Sequence, residues 1–261
     1  MTNVDTAWLK RGIIVAAADH SDATLLRYAT EADVDADPQR LRRIVALCAN
    51  AAGADGVVVR PADVEWARKR CPNLHVVVGF PDALSGDELM RSIRAAVAKP
   101  YLAKLPAKIG FEISGQHFMS SLSAACSTGS THGDLALVAE PYFSASLATK
   151  DRCTILRALS SLKCVVALKL DVEAPVDTAV LYSRSSGRIP WYARSEGLDY
   201  ATFYARVAIA KRFGCAGVVA GAALWRSEMA TCAVGLNPEL ISVMRRRIDQ
   251  LRQLWRNEPF A

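Results

Sequence analysis

Lys169 stands within Val165-Val-Ala-Leu-Lys-Leu170, a run otherwise suited to a buried strand. Burying an ammonium without a partner is costly, so a lysine there needs a role or a lowered pKa. Desolvated and close to other cations, it becomes a neutral amine able to attack a carbonyl. The competing reading is a structural ion pair with Asp171, Glu140 or Asp19. Further polar residues end other apolar runs: Asp19 and His20, Arg60, Lys104, Glu140, Asp171, and Arg194 to Glu196. Each alone is better explained as a helix cap or a neighbour's partner. Gathered at one end of a sheet, they would form a set of acids and bases around a carbonyl. His75 and His117 have no ligand partners at helical or strand spacing, so no metal is expected. No GxGxxG follows a strand, so no dinucleotide is expected either, and no cofactor is assigned.

Such a gathering needs elements that end together. Eight short apolar runs alternate with longer amphipathic stretches. They are Gly12–Ala18, Gly56–Val59, His75–Pro81, an ambiguous fourth, Leu135–Ala139, Cys164–Leu170, Ile189–Ala193 and Gly217–Leu224. The fourth is either Tyr101–Leu105 or Ile109–Ile113, divided by Pro106. Helices are expected over Pro38–Ala52, Ala62–Cys71, Gly86–Ala98 and from Asn237-Pro238-Glu239 onward. Ser114–Gly133 is the least patterned segment, and Thr178–Gly187 reads as a long loop. Continuous apolar runs indicate strands covered on both faces, hence a parallel sheet. Eight βα units in this length predict a single (β/α)₈ TIM barrel over residues 1–261, an open doubly wound sheet being the competitor.

The 261 residues carry 32 Lys+Arg and 26 Asp+Glu, a net charge of +6, with 51% hydrophobic residues. That balance excludes disorder and low complexity. The charge is spread out, and no basic run is interleaved with aromatics, so nucleic acid is not an expected partner. Arg245-Arg246-Arg247 reads as the solvated face of the last helix. Seven cysteines without a CxxC pair do not suggest a secreted disulfide framework, and most read as small buried hydrophobes. Lys10-Arg11 followed by a short apolar run imitates a signal peptide but reads as the first strand. No run approaches the ~20 residues of a membrane span. The expectation is a cytoplasmic protein acting on a small molecule, with a homo-oligomer possible.

The segment Ile189-Pro-Trp-Tyr-Ala-Arg-Ser-Glu-Gly197 through Ala216-Gly-Val-Val-Ala-Gly-Ala-Ala-Leu-Trp225 resembles the end of class I aldolases of the tagatose-1,6-bisphosphate and sulfofructose-1-phosphate type. Leu168-Lys-Leu-Asp-Val-Glu-Ala-Pro175 resembles their Schiff-base strand, and Ala139-Glu-Pro141 their glutamate-bearing strand end. Ala18-Asp19-His20 and Gly79-Phe-Pro81 look more like the deoxyribose-phosphate and archaeal aldolases. The similarity runs with gaps from about residue 12 to 226. It implies Lys169 as the Schiff-base nucleophile, Glu140 as a proton-transfer group, and Lys104 as the fourth-strand lysine, with Asp19 beside them. Arg194, Ser195, Gly197, Gly221, His20 and Arg60 are the expected substrate contacts.

Departures from the pattern bear on the substrate. The eighth-strand Gly-Arg is Gly221-Ala222, removing a cation that holds phosphate or sulfonate, and Ser-small-Gly is Ser195-Glu196-Gly197. The expected function is a class I aldolase acting on a small, phosphorylated sugar or keto compound. A transferase or isomerase using the same lysine, and a non-catalytic aldolase-like binding protein, are the alternatives.

Overall fold

The computed structural model describes residues 5–9, 12–80, 102–109, 136–172, 175–187, 189–228 and 236–256, with 91–92, 119–120 and 122–123 besides. Eight parallel strands close in sequence order into a barrel. They are β1 Ile13–Ala17, β2 Gly56–Val59, β3 His75–Gly79, β4 Leu102–Ile109, β5 Ala136–Phe143, β6 Val165–Asp171, β7 Trp191–Arg194 and β8 Gly217–Ala220. β8 pairs back onto β1 through Ile13↔Gly217 to Ala16↔Ala220, closing the ring.

Period-2 alternation sorts each strand between two cores. Ile13, Val15, Ala17, Val58, Val77, Leu102, Ala136, Val138, Ala167, Tyr192 and Val219 fill the barrel interior. Their neighbours, such as Ile14, Ala16, Val57, Leu168 and Leu170, face a larger layer shared with the helices. This double coverage explains why the strands read as unbroken apolar runs. In five strands the inward column continues toward the C-terminal mouth of the barrel. It runs from Ala17 to Asp19, from Leu102 to Lys104, from Val138 to Glu140, from Ala167 to Lys169 and from Tyr192 to Arg194.

The described helices are α1 Asp22–Glu31, α2 Pro38–Ala52, α3 Val64–Arg70, α4 Thr149–Ser161, α5 Pro175–Ser185, α6 Tyr200–Arg212, the short α7 Ala222–Trp225 and α8 Pro238–Arg256. Side-chain caps begin four of them, Ser21 on α1, Asp37 on α2, Asp199 on α6 and Asn237 on α8. α8 lays Leu240, Met244, Ile248 and Leu251 against the barrel.

Several expectations need correction. Thr178–Gly187 is not a long loop, since α5 covers most of it. Its Ser and Thr content hides a helix anchored by buried Ala179 and by Tyr182 against Trp191, with ring centroids 5.4 Å apart. The fourth strand does not stop at Pro106. Beyond Lys104 the described pairing continues only on the β5 side, so the missing N–H of Pro106 breaks no bond to β3. β8 ends at Ala220, and Ala222–Leu224 belongs to the following helical turn. Arg247 is not a solvated charge: it donates to the Leu224 carbonyl and Ser227, and stacks over Tyr200. Cys48, Cys71 and Cys215 are free and buried, Cys153 is free and half-buried, and Cys164 is disulfide-bonded. The Ile109–Ile113 alternative beyond Ile109, the Gly86–Ala98 helix apart from residues 91–92, and His117 lie outside the described residues. Within the described residues no helix is long and apolar enough to cross a membrane.

Candidate active site

The C-terminal strand ends surround a cavity of about 290 Å³. Of the ten residues expected to act there, nine line it: Asp19, His20, Lys104, Glu140, Lys169, Arg194, Ser195, Gly197 and Gly221. Arg60 does not. Its guanidinium turns behind the first strand, donating to the His20 carbonyl at 3.0 Å and pairing with Asp22 at 3.3 Å.

Glu140 is the hub. One carboxylate oxygen lies 2.7 Å from Lys169 Nζ, and the other lies 2.8 Å from Lys104 Nζ. Lys104 also meets Asp19 at 2.7 Å. All four side chains are buried. The parallel register places Lys104 beside Val138 and Lys169 beside Tyr192, so the lysines reach Glu140 from neighbouring strands on either side.

The two lysines nevertheless differ in charge. Burial lowers the Lys169 pKa, Lys104 lowers it further, and the Glu140 carboxylate does not restore it. Burial also opposes the Lys104 charge, but Asp19 and Glu140 together hold its pKa above the ordinary lysine value. Burial would raise Glu140, yet Lys104, Lys169 and Arg194 keep it well below the usual carboxylate range. Before substrate binds, the arrangement therefore holds one cation, one anion and one amine able to lose its proton.

Two contributors escaped the sequence reading. Tyr142 donates to Glu140 at 3.2 Å and lies under the Arg194 guanidinium, 3.8 Å from ring centroid to Cζ. Burial raises its pKa, so the phenol stays protonated. Its signal was the two-residue spacing from Glu140, hidden because the fifth strand was ended at that glutamate. The second is Gly79, whose Cβ, if present, would collide with Asp19 Oδ2 and Val58. Only glycine leaves Asp19 room to reach Lys104.

The seventh- and eighth-strand side is built differently. Arg194 meets Glu196 at 2.6 Å, Asp171 at 3.6 Å and Glu140 at 3.8 Å. Ser195 Oγ accepts the Gly221 N–H at 3.2 Å. His20 packs edge-on to Trp225, with centroids 5.2 Å apart, and against Gly221, where a Cβ would strike its ring. Burial lowers the His20 pKa to about 4, so the imidazole is neutral near pH 7.

Neither acidic nor histidine side chains among the described residues form a cluster suited to a metal ion. His75 stacks on Trp8, centroids 4.5 Å apart, away from the mouth. A larger cavity of about 840 Å³ adjoins the mouth at Tyr28 and reaches Tyr200, Arg226 and Arg247. Among the described residues, its two arginines are engaged by Glu31 and Glu228, and no lysine lines it.

No protein-family model matches the chain, and neither does a curated protein sequence. Solved structures do. An archaeal fructose 1,6-bisphosphate aldolase aligns with a TM-score of 0.63 at 14% identity, covering 96% of each chain. An archaeal fructose-1,6-bisphosphate aldolase whose catalytic Lys is covalently bound to the carbinolamine intermediate of its substrate aligns with a TM-score of 0.63 at 16% identity, covering 95% of this chain and 96% of that one. A protein from Corynebacterium glutamicum aligns equally well at 16% identity, covering 97% of this chain and 88% of that one. Over nearly its whole length, the chain shares its (β/α)₈ fold with these solved structures.

Proposed function

We propose that this protein is a class I aldolase, a carbon–carbon lyase working through an imine on Lys169. The observation that carries the reading is the splitting of two buried lysines by one glutamate. Lys104 is held charged, and Lys169 is biased toward the free amine. Groups whose environments push their pKa values apart are those with separate acid and base roles.

The chemistry follows from that asymmetry. The Lys169 amine adds to a substrate carbonyl, giving a carbinolamine. Protonation of its hydroxyl and loss of water leave a protonated imine, which attracts electrons from the adjacent carbon. Removing a proton from the β-hydroxyl then breaks the carbon–carbon bond. Its electron pair moves into the iminium as an enamine, and the first product leaves as an aldehyde. Protonating the enamine carbon and adding water release the second carbonyl product and return the free amine. The proton carriers within reach are Glu140 and the Tyr142 phenol hydrogen-bonded to it. Lys104 keeps its charge throughout, disfavouring a second cation on Lys169 before attack. Asp19 positions Lys104.

This reading uses no cofactor and no metal, and takes a small sugar or keto compound as substrate. Borohydride reduction with a panel of keto and aldehyde metabolites, followed by intact mass and peptide mapping, tests it directly. The expected result is one covalent adduct on Lys169, with turnover unaffected by EDTA. Loss of turnover on chelation, restored by zinc, would reject the imine mechanism.

A further inference from the structure

Resting on the imine reading of Lys169, we infer that Glu196 is a specificity residue that closes Arg194 to anions. The carbonyl compound taken by this mouth is accordingly a short, uncharged hydroxy-aldehyde or hydroxy-ketone and not a sugar phosphate. The inference comes from what the seventh- and eighth-strand ends offer an incoming anion. Arg194 is buried, and three carboxylates already stand within 3.8 Å of it. The shortest contact is from Glu196 to Nε, at 2.6 Å. Glu196 reaches that atom from a left-handed backbone, φ +43°, and Gly197 follows at φ +74°. Few residues other than glycine adopt that conformation, and here it turns a carboxylate into the mouth.

The other described anchors offer an anion little. The Gly221 N–H is donated to Ser195 Oγ. Ala222 is buried and has no charge to offer. His20 fills the space against Gly221 and, being neutral, adds none. Arg27 at the rim is 64% exposed and already lies 3.9 Å from Glu31. A rim charge of that kind is strongly screened. Once Lys169 is neutral, two buried cations, Lys104 and Arg194, face Asp19, Glu140, Asp171 and Glu196. Among the described residues, a phosphate would add negative charge to a site already in excess of it. A cavity of about 290 Å³ also suits a short carbon chain.

Borohydride capture provides the test, with dihydroxyacetone against dihydroxyacetone phosphate and glyceraldehyde against glyceraldehyde 3-phosphate. Wild-type protein should label Lys169 at concentrations at least tenfold lower with each unphosphorylated probe. Inorganic phosphate at 10 mM should leave labelling by dihydroxyacetone unchanged. Glu196→Gln, near-isosteric and checked by its melting temperature, should bring each pair of probes within about threefold. Equal or better capture of the phosphorylated probes by wild-type protein overturns the inference while leaving the imine intact. An unaltered ratio in Glu196→Gln removes Glu196 from the role, and the wild-type ratio stands without the variant. Failure of all four probes to label Lys169 overturns the imine reading, and this inference with it.

Discussion

The two sides of the barrel mouth use ionic groups in opposite ways. Between the fourth and sixth strands, two lysines share one glutamate, and the imbalance leaves one amine poised to lose its proton. Between the sixth and eighth strands, one arginine has three carboxylates within 3.8 Å, and among the described residues the balance there is negative. Both sides are buried and only a few ångströms apart. Burial alone therefore does not make a reactive group. What decides reactivity is the balance of opposite charges standing within about 4 Å.

The comparison breaks most sharply at Lys169. Lys169→Met should lower turnover by 10⁴-fold or more, roughly the loss expected when a covalent nucleophile is removed. It should also abolish borohydride adducts while the circular dichroism spectrum stays unchanged. Retained turnover would show that the poised amine is not the nucleophile.

Lys104→Met sharpens the same contrast. Lys104 lowers the Lys169 pKa, so its removal should raise it. The rising limb of the rate against pH, which follows the free amine, should move to higher pH. Turnover at pH 7 should fall by about 10²–10³-fold, within the range of electrostatic and acid–base effects. A pH profile that falls uniformly without shifting would assign Lys104 a purely structural part.

The smallest effect is expected across the mouth, at Gly221. Gly221→Ala must displace the His20 ring or shift the strand end that donates to Ser195. Overpacking of that kind costs about 1–3 kcal/mol, a fall in Tm of roughly 3–10 °C, with turnover changed only a few-fold. Differential scanning calorimetry and steady-state rates on one preparation measure both. A large rate loss with unchanged Tm would mean that His20 takes part in the chemistry.

Much of this site was legible in the residues because chemistry interrupts pattern. Lys169 is conspicuous within an apolar strand, Asp19 follows one, Arg194 ends one, and Lys104 and Glu140 interrupt two others. Tyr142 and Gly79 were not conspicuous. A tyrosine after a proline looks like a loop residue until β5 is seen to run on to Phe143. A glycine's value lies in the side chain that approaches it, which here is Asp19. Arg60 showed the opposite error, since a cation at a strand end can face away from the mouth and hold the neighbouring chain.

The sequence by itself determined the barrel. Eight apolar runs separated by helical stretches leave few other ways to cover both faces of every strand. It also determined which residues stand at the strand ends, because period-2 alternation carries the interior column outward to them. Only the tertiary structure decided how those residues divide charge. That Lys104 is paired twice and Lys169 once, and that Glu196 turns back onto Arg194, depends on register between strands distant in sequence. Electrostatic energies change over one or two ångströms, and no spacing along a single chain specifies distances across a closed barrel.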